Sequence, residues 1–303
     1  MSVFDIYIQQ IVNGLILGSF YALIALGYSM VYGIIKMLNF AHGDIYMFGA
    51  FGSWAVFYFA ANRIGTEWAC LLFGVLAAIC LCAALGFLIQ RVAYRPLFNA
   101  PRLSLMIVAI GVSLVLENAM MLLTNGESVY LNLGINMTAG VMIGHVSVKW
   151  IQIILFAIAV VVMVGLTLLI NYTKWGQAMR AVSEDMNTCR LMGINANRII
   201  ALTFIIGSML AAVAGTMNGI YYGSLKYDMG YMMGIKAFTA AVIGGIGSIP
   251  GAMLGGILLG VLEAPGTQIC GSAWKDVFAF GLLIVMLVFK PNGIFGLSET
   301  ERM

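Results

Sequence analysis

Charge is what this sequence has least of. Of its 303 residues only 9% are Asp, Glu, Lys or Arg, while 62% are hydrophobic. Soluble domains carry about 25% charged residues. A water-soluble fold could not cover so much apolar surface with so few charges, whereas a bilayer accepts apolar side chains facing outward. Metal ligands are scarce too. Two histidines are present, and the five cysteines, Cys70, Cys80, Cys82, Cys189 and Cys270, match no zinc spacing. Neither a metal nor another cofactor is expected. The fifteen Lys and Arg are scattered through loops and the net charge is only +3, so no nucleic-acid patch forms. There is no G-x-x-x-x-G-K-[ST], no H-E-x-x-H and no G-x-S-x-G. The chain is therefore not expected to bind ATP by a P-loop or to be an enzyme. Any ATP energy has to come from another subunit.

What is abundant is long apolar runs. Eight stand out: Ile11–Ile35, Ile45–Ala61, Ala69–Ile89, Leu103–Leu123, Ile151–Ile170, Ile199–Tyr222, Ile235–Leu262 and Val277–Phe289. A spanning helix needs about 20 apolar residues, and barrel strands would be shorter and alternate. The expectation is an all-α polytopic transmembrane bundle forming a single domain over residues 1–303. No basic residue precedes Lys36, so the first run is expected to persist as a span rather than a cleaved signal. Loops after the first, third and fifth runs hold Lys36, Arg91, Arg95, Arg102, Lys174, Arg180, Arg190 and Arg198. The alternate set holds Arg63, Lys149, Lys226 and Lys236. That bias puts the first set in the cytoplasm and the N-terminus outside.

The seventh run is interrupted by Gly244, Gly245, Gly247, Pro250 and Gly251. Breaks of this kind line cavities or mark transport sites. Two geometries stay open, a kinked span and a segment that enters and leaves on one side; the second puts Lys290 and Arg302 in the cytoplasm. Glycines four apart, Gly14 with Gly18, Gly215 with Gly219 and Gly223, Gly251 with Gly255, and Gly256 with Gly260, predict close helix contacts, inside the bundle or between subunits.

Polar groups within lipid ask for a reason. Glu117, with Ser113 one turn earlier and Asn118 beside it, reads either as lining of a substrate path or as a packing hydrogen bond. Asn218 reads as helix-packing glue. Asn39, His42 and Asp44 crowd the link between the first two runs and read as a turn whose side chains satisfy backbone ends. Within 174–198, Met179, Val182, Met186 and Cys189 recur at helical spacing, Arg180, Glu184, Asp185 and Arg190 fall elsewhere, and Gly193 is a plausible C-cap. This is an amphipathic helix, read either as lying on lipid or as docking a cytoplasmic partner. Its mixed charges favour docking, with Met179, Val182 and Met186 as anchors.

Three blocks then show a resemblance. LGSFYALIALGY (17–28) with MVYGI (30–34) and NFAHGD (39–44), RAVSED (180–185) with LMGIN (191–195), and KAFTAAVIGGIGSIPGA (236–252) resemble the LivH-type permeases of bacterial high-affinity branched-chain amino acid ABC importers. The similarity runs from about Asn13 to Gly296 and is loosest over Asn125–Lys149. It implies a multi-pass inner-membrane permease moving leucine, isoleucine or valine. It also implies a second, LivM-like permease, two ATPases of the LivG and LivF type and a periplasmic binding protein. On the same resemblance Met179, Arg180, Val182, Glu184, Asp185, Met186 and Gly193 belong to the ATPase-coupling segment. Asn39, His42, Ser113, Glu117, Gly244, Gly245 and Gly247 are the candidates for the path. Relatives that carry urea, short amides or other amino acids are the alternative substrate reading. An ion-coupled carrier using Glu117 is the alternative mechanism.

Overall fold

The structure is a computed structural model and describes residues 3–60, 67–98, 100–131 and 139–296. Residues 61–66, with Arg63, residues 132–138 and Arg302 lie outside the described residues. The helices are α1 (Val3–Ile35), α2 (His42–Ala60), α3 (Glu67–Ile89), α4 (Arg102–Thr124), α5 (Trp150–Tyr172), α6 (Lys174–Glu184), α7 (Met186–Leu191), α8 (Ala196–Tyr222), α9 (Met229–Gly244), α10 (Ile249–Cys270) and α11 (Lys275–Phe289). Four short strands complete the described chain: β1 (Val129–Tyr130), β2 (Gly140–Ile143), β3 (Val146–Lys149) and β4 (Ser224–Leu225). Among the described residues seven helices, α1, α3, α4, α5, α8, α10 and α11, are long and apolar enough to cross a membrane. The chain is a polytopic helical membrane protein.

The strands define one end of the bundle. β1 pairs with β4, joining the ends of α4 and α8, and the β2–β3 hairpin meets the start of α1 where the Ser147 amide donates to Gln9 Oε1 at 2.8 Å. At the opposite end α6 packs beside the end of α1, where Met179 and Arg180 share a small cavity with Met30, Gly33 and Ile34. This is the two-sided division that the Lys and Arg bias predicts.

The seventh apolar run is two helices, not one. α9 and α10 are antiparallel, joined by the turn Gly245–Ser248. Gly244 lies against Gly251, Gly255 against Ala240, and Lys236 against Glu263, so the two helices close like a hairpin. Gly245 (φ +108°) and Gly247 (φ +91°) supply backbone angles that side-chain-bearing residues resist. Ser248 caps α10 by accepting from the Gly251 amide, and Pro250 sits in its first turn, where no amide is missed. The C-terminal stretch clasps this turn: the amides of Ile294 and Phe295 donate to the carbonyls of Ile243 and Gly244, both at 2.9 Å. The run thus enters and leaves on the face opposite α6 with its turn at the α6 face, and Lys290 lies back at the α6 face, as the sidedness argument expects.

Glycine spacing is spent inside the chain. Gly14 and Gly18 of α1 meet Gly260 and Gly256 of α10 backbone to backbone, and Gly215 of α8 meets the Tyr46 carbonyl of α2. Gly223, by contrast, ends α8 in a left-handed cap.

Candidate functional site

The first of the polar positions lie at mid-depth. Asn39 lies in the turn that leads into α2, His42 opens that helix, and Asn39, His42 and Asp44 are all buried. Tyr94 donates to Asn39 Oδ1 at 2.9 Å, from a π-helical turn that continues α3. His42 stacks edge-on against Tyr28, with ring centroids 4.8 Å apart, and presses on Gly27. Asp44 accepts from the Ser113 hydroxyl at 2.5 Å. Ser113 is the central residue of α4, and Glu117, one turn on and half-buried, lies within electrostatic reach of Asp44. The structure therefore brings Asn39, His42, Ser113 and Glu117 into one neighbourhood. It places Gly244, Gly245 and Gly247 apart from them, at the α9–α10 turn, where the Gly247 amide donates to Ser29 Oγ at 3.0 Å.

The segment 174–198 is helical and amphipathic, with two differences from expectation. The helix breaks at Asp185, which ends α6 and caps α7 through the amides of Asn187 and Thr188 at 2.8 and 3.2 Å. The Thr188 hydroxyl also donates to this carboxylate, and these bonds, the hydroxyl first, hold it below the usual carboxylate range. Second, the apolar stripe faces inward. Met179, Val182 and Cys189 are buried in this chain's own core and Met186 is half-buried, so they are not free anchors for a partner. The physical reason is that the ends of α1 and α8 leave apolar side chains uncovered there, and the stripe covers them. Outward-facing groups are Trp175, Glu184, Asp185, Leu191 and Met192. Gly193, at φ +81°, ends α7 as the sequence suggests. α6 also reaches the hairpin turn: Met179, Arg180 and Ser183 share the small cavity with Ser29, Gly247 and Ile249.

The sequence reading missed the largest polar feature, at the face opposite α6. Lys236 of α9 bridges Glu263 of α10 at 3.0 Å and Asp276 of α11 at 2.7 Å, while Lys275 reaches Glu263 at 3.3 Å. Tyr21 of α1 donates to the same Glu263 oxygen at 3.1 Å. Lys236 and Glu263 are almost wholly buried, with side chains 5% and 0% exposed, against 36% for Lys275 and 43% for Asp276. Lys236, Lys275, Asp276, Tyr21, Tyr46, Asn218 and Tyr222 line an open cavity of about 360 Å³. Asn218, read from sequence as packing glue, thus lines a cavity. Glu263 was legible as an acid just past the end of the seventh apolar run and Lys236 as a base near its start; counting Lys236 among loop charges hid the pair.

A family described as the branched-chain amino acid transport system permease component matches residues 10–287. Among individual proteins, the high-affinity branched-chain amino acid transport system permease protein BraD of Pseudomonas aeruginosa is 49% identical, over 98% of each chain. The corresponding protein LivH of Escherichia coli is 44% identical, again over 98% of each. A probable LivH of Methanocaldococcus jannaschii is 26% identical over 97% of this chain and 94% of its own. Buried charges at one face, an amphipathic helix at the other and likeness along almost the whole length fit together: this chain belongs to the branched-chain amino acid transport permease family.

Proposed function

We propose that this permease carries leucine, isoleucine and valine across the bacterial inner membrane as one membrane subunit of an ABC importer. Its partners in this reading are a LivM-like second permease, ATPases of the LivG and LivF type on the α6 face, and a periplasmic binding protein on the opposite face. The observation that carries the reading is the continuity from α6 to the cavity. α6 touches the α9–α10 turn through Gly247 and Ile249. The two helices that leave that turn carry Lys236 and Glu263 at the other end. A displacement of α6 by an ATPase is therefore passed to the cavity through two packed helices rather than through a loop.

The coupling residues divide by direction. Met179 and Val182 hold α6 to the bundle, and Arg180 donates to the Ile170 carbonyl at the end of α5. Glu184, Asp185, Leu191 and Met192 face the partner, with Met186 and Gly193 shaping the bend between. Apolar groups carry most of such a contact and rim charges contribute about 0 to 1 kcal/mol per exposed pair. On the path, Asn39, His42, Ser113 and Glu117 form a polar partition at mid-depth, and Gly244, Gly245 and Gly247 form the turn that must move.

Uptake tests the reading. The chain co-expressed with its neighbouring ATPase, permease and binding-protein genes and reconstituted in vesicles takes up labelled leucine only with ATP inside and binding protein outside. Uptake that ignores ATP but follows an ion gradient overturns it in favour of a carrier. Uptake of urea or a short amide in place of leucine overturns the substrate assignment alone.

A further inference from the structure

We infer that the cavity around Lys236 is a binding site for the two charged ends of an α-amino acid, with Lys236 receiving the carboxylate and Asp276 the ammonium group. The inference rests on the importer reading above and assigns a substrate-contacting role inside the membrane subunit. Joining α9 to α10 needs only the buried Lys236–Glu263 pair. Asp276 and Lys275, from a third helix, are additional and form the exposed half of the network, at the cavity mouth. The four bridged charges cancel, Lys226 adds one further basic group to the lining, and an incoming zwitterion leaves this balance unchanged. It exchanges the Lys236–Asp276 bridge for two bridges of the same kind, carboxylate on Lys236 and ammonium on Asp276.

Tyr46, a lining residue, has its hydroxyl buried beside Asn218 with no partner at full hydrogen-bonding geometry. Glu263 does not line the cavity; it anchors Lys236 from behind, its Oε1 accepting from Tyr21, Lys236 and Lys275. A carboxylate on Lys236 can accept from Tyr46, and an ammonium group can donate to a carboxylate. The rest of the lining is Leu17, Met229, Met232 and Met233, with Ser224 and Lys226 beside them. Methionine is unbranched and polarisable, so it repacks around side chains of differing branching. The volume, about 360 Å³, is that of a small-ligand pocket.

Protection from labelling tests this in the full chain, in nanodiscs with its co-purified subunits. Exposed Cys80 and Cys270 are changed to Ser, and Met232→Cys places a thiol on the cavity wall. L-Leucine slows maleimide labelling at Met232→Cys. Isocaproate, which lacks the ammonium group, and isoamylamine, which lacks the carboxylate, do not. Asp276→Asn raises the leucine concentration for half-protection by about tenfold. The double change Lys236→Met with Glu263→Gln removes protection without leaving an unpaired buried charge. Labelling indifferent to leucine, in a preparation that still takes up leucine with ATP, overturns the inference and leaves the importer reading intact. Equal protection by isocaproate overturns the zwitterion assignment. A preparation with no ATP-dependent leucine uptake removes the reading on which the inference stands, and both fall.

Discussion

α1 and α4 are both unbroken apolar helices, yet 94% of the apolar stretch of α1 is buried in the chain and only 22% of that of α4. α4 turns Leu103, Ile107, Leu114, Val115 and Leu122 outward. α1 is enclosed by α8, α9 and α10, with glycine at its contacts and Tyr21 on a buried carboxylate. In water, burial follows hydrophobicity, but in a bilayer both surroundings are apolar, so what separates interior from exterior is small size and polar pairing. α5 has the highest mean hydropathy of the spans, 3.2, and is peripheral; α9, which carries Lys236, is too short to count among the long apolar helices. The centre of this molecule is marked by glycine and charge, and its rim by leucine and valine.

Glycine substitution breaks or sharpens that contrast most strongly. A side chain at Gly256 runs into the Ala22 backbone, whereas a β-carbon added at Gly111 of α4 or Gly165 of α5 would meet nothing within 4 Å. Gly256→Leu therefore costs at least the roughly 1–3 kcal/mol of overpacking and shows as loss of monodisperse protein after solubilisation. Gly111→Leu stays within about 0.5 kcal/mol by thermal midpoint. Equal effects at the two sites would erase the distinction between centre and rim.

Next comes the coupling helix, which has the same two faces at smaller scale. Val182→Asp puts a carboxylate into the core and costs about 2–4 kcal/mol, read as a lower midpoint and protease cleavage near α6. Leu191→Asp, on the outward face, leaves the midpoint within about 0.5 kcal/mol and lowers co-purification of the ATPase. If Leu191→Asp changed the midpoint and Val182→Asp did not, the two faces would be reversed.

A smaller effect separates conformation from crowding at the hairpin turn. Gly245 has positive φ and the Gly296 backbone against it; Gly247 has positive φ but nothing closer than 3.9 Å, the Gly33 Cα. Gly247→Ala then costs only the backbone term, about 1–2 kcal/mol, and lowers the leucine uptake rate if the turn moves during transport. Gly245→Ala costs more, because the C-terminal clasp must also shift.

The rim of the fold was legible because lipid-facing helices are continuous and apolar, as α3, α4 and α5 are. The centre was less so. Ile235–Leu262 is apolar apart from Lys236 and a few hydroxyl residues, and periodicity cannot show that Gly245–Ser248 reverses the chain; that depends on φ values and on residues 293–296 far along the sequence. The inward turn of Met179 and Val182 was hidden for a related reason. An amphipathic stripe shows that a helix has a partner, not whether that partner is the same chain. Lys236 and Glu263 carried a signal, an acid and a base in successive apolar helices, but only the hairpin brings them within 3.0 Å.

The smallest effect belongs to Asp185, which divides α6 from α7 on the exposed face. Its carboxylate accepts from the Thr188 hydroxyl and from two amides, and so titrates below its ordinary value of 3.8. A carboxyl with a depressed folded value stabilises the fold above its unfolded value and loses that contribution as pH falls through the folded one. The α7 cap is thus intact at neutral pH and weakens only in acid, below about pH 4. Hydrogen exchange at the Asn187 and Thr188 amides, referenced to the chemical exchange rate at each pH, should lose protection there in the native chain. Asp185→Asn keeps a side-chain oxygen for the cap but removes the titration, so its protection is lower at neutral pH and flat through the acid range. Asp185→Ala removes both and exposes the two amides at every pH. An acid-sensitive signal that survived Asp185→Asn would move the titration elsewhere, and the bend between α6 and α7 would then rest on the packing of Val182 and Cys189 alone.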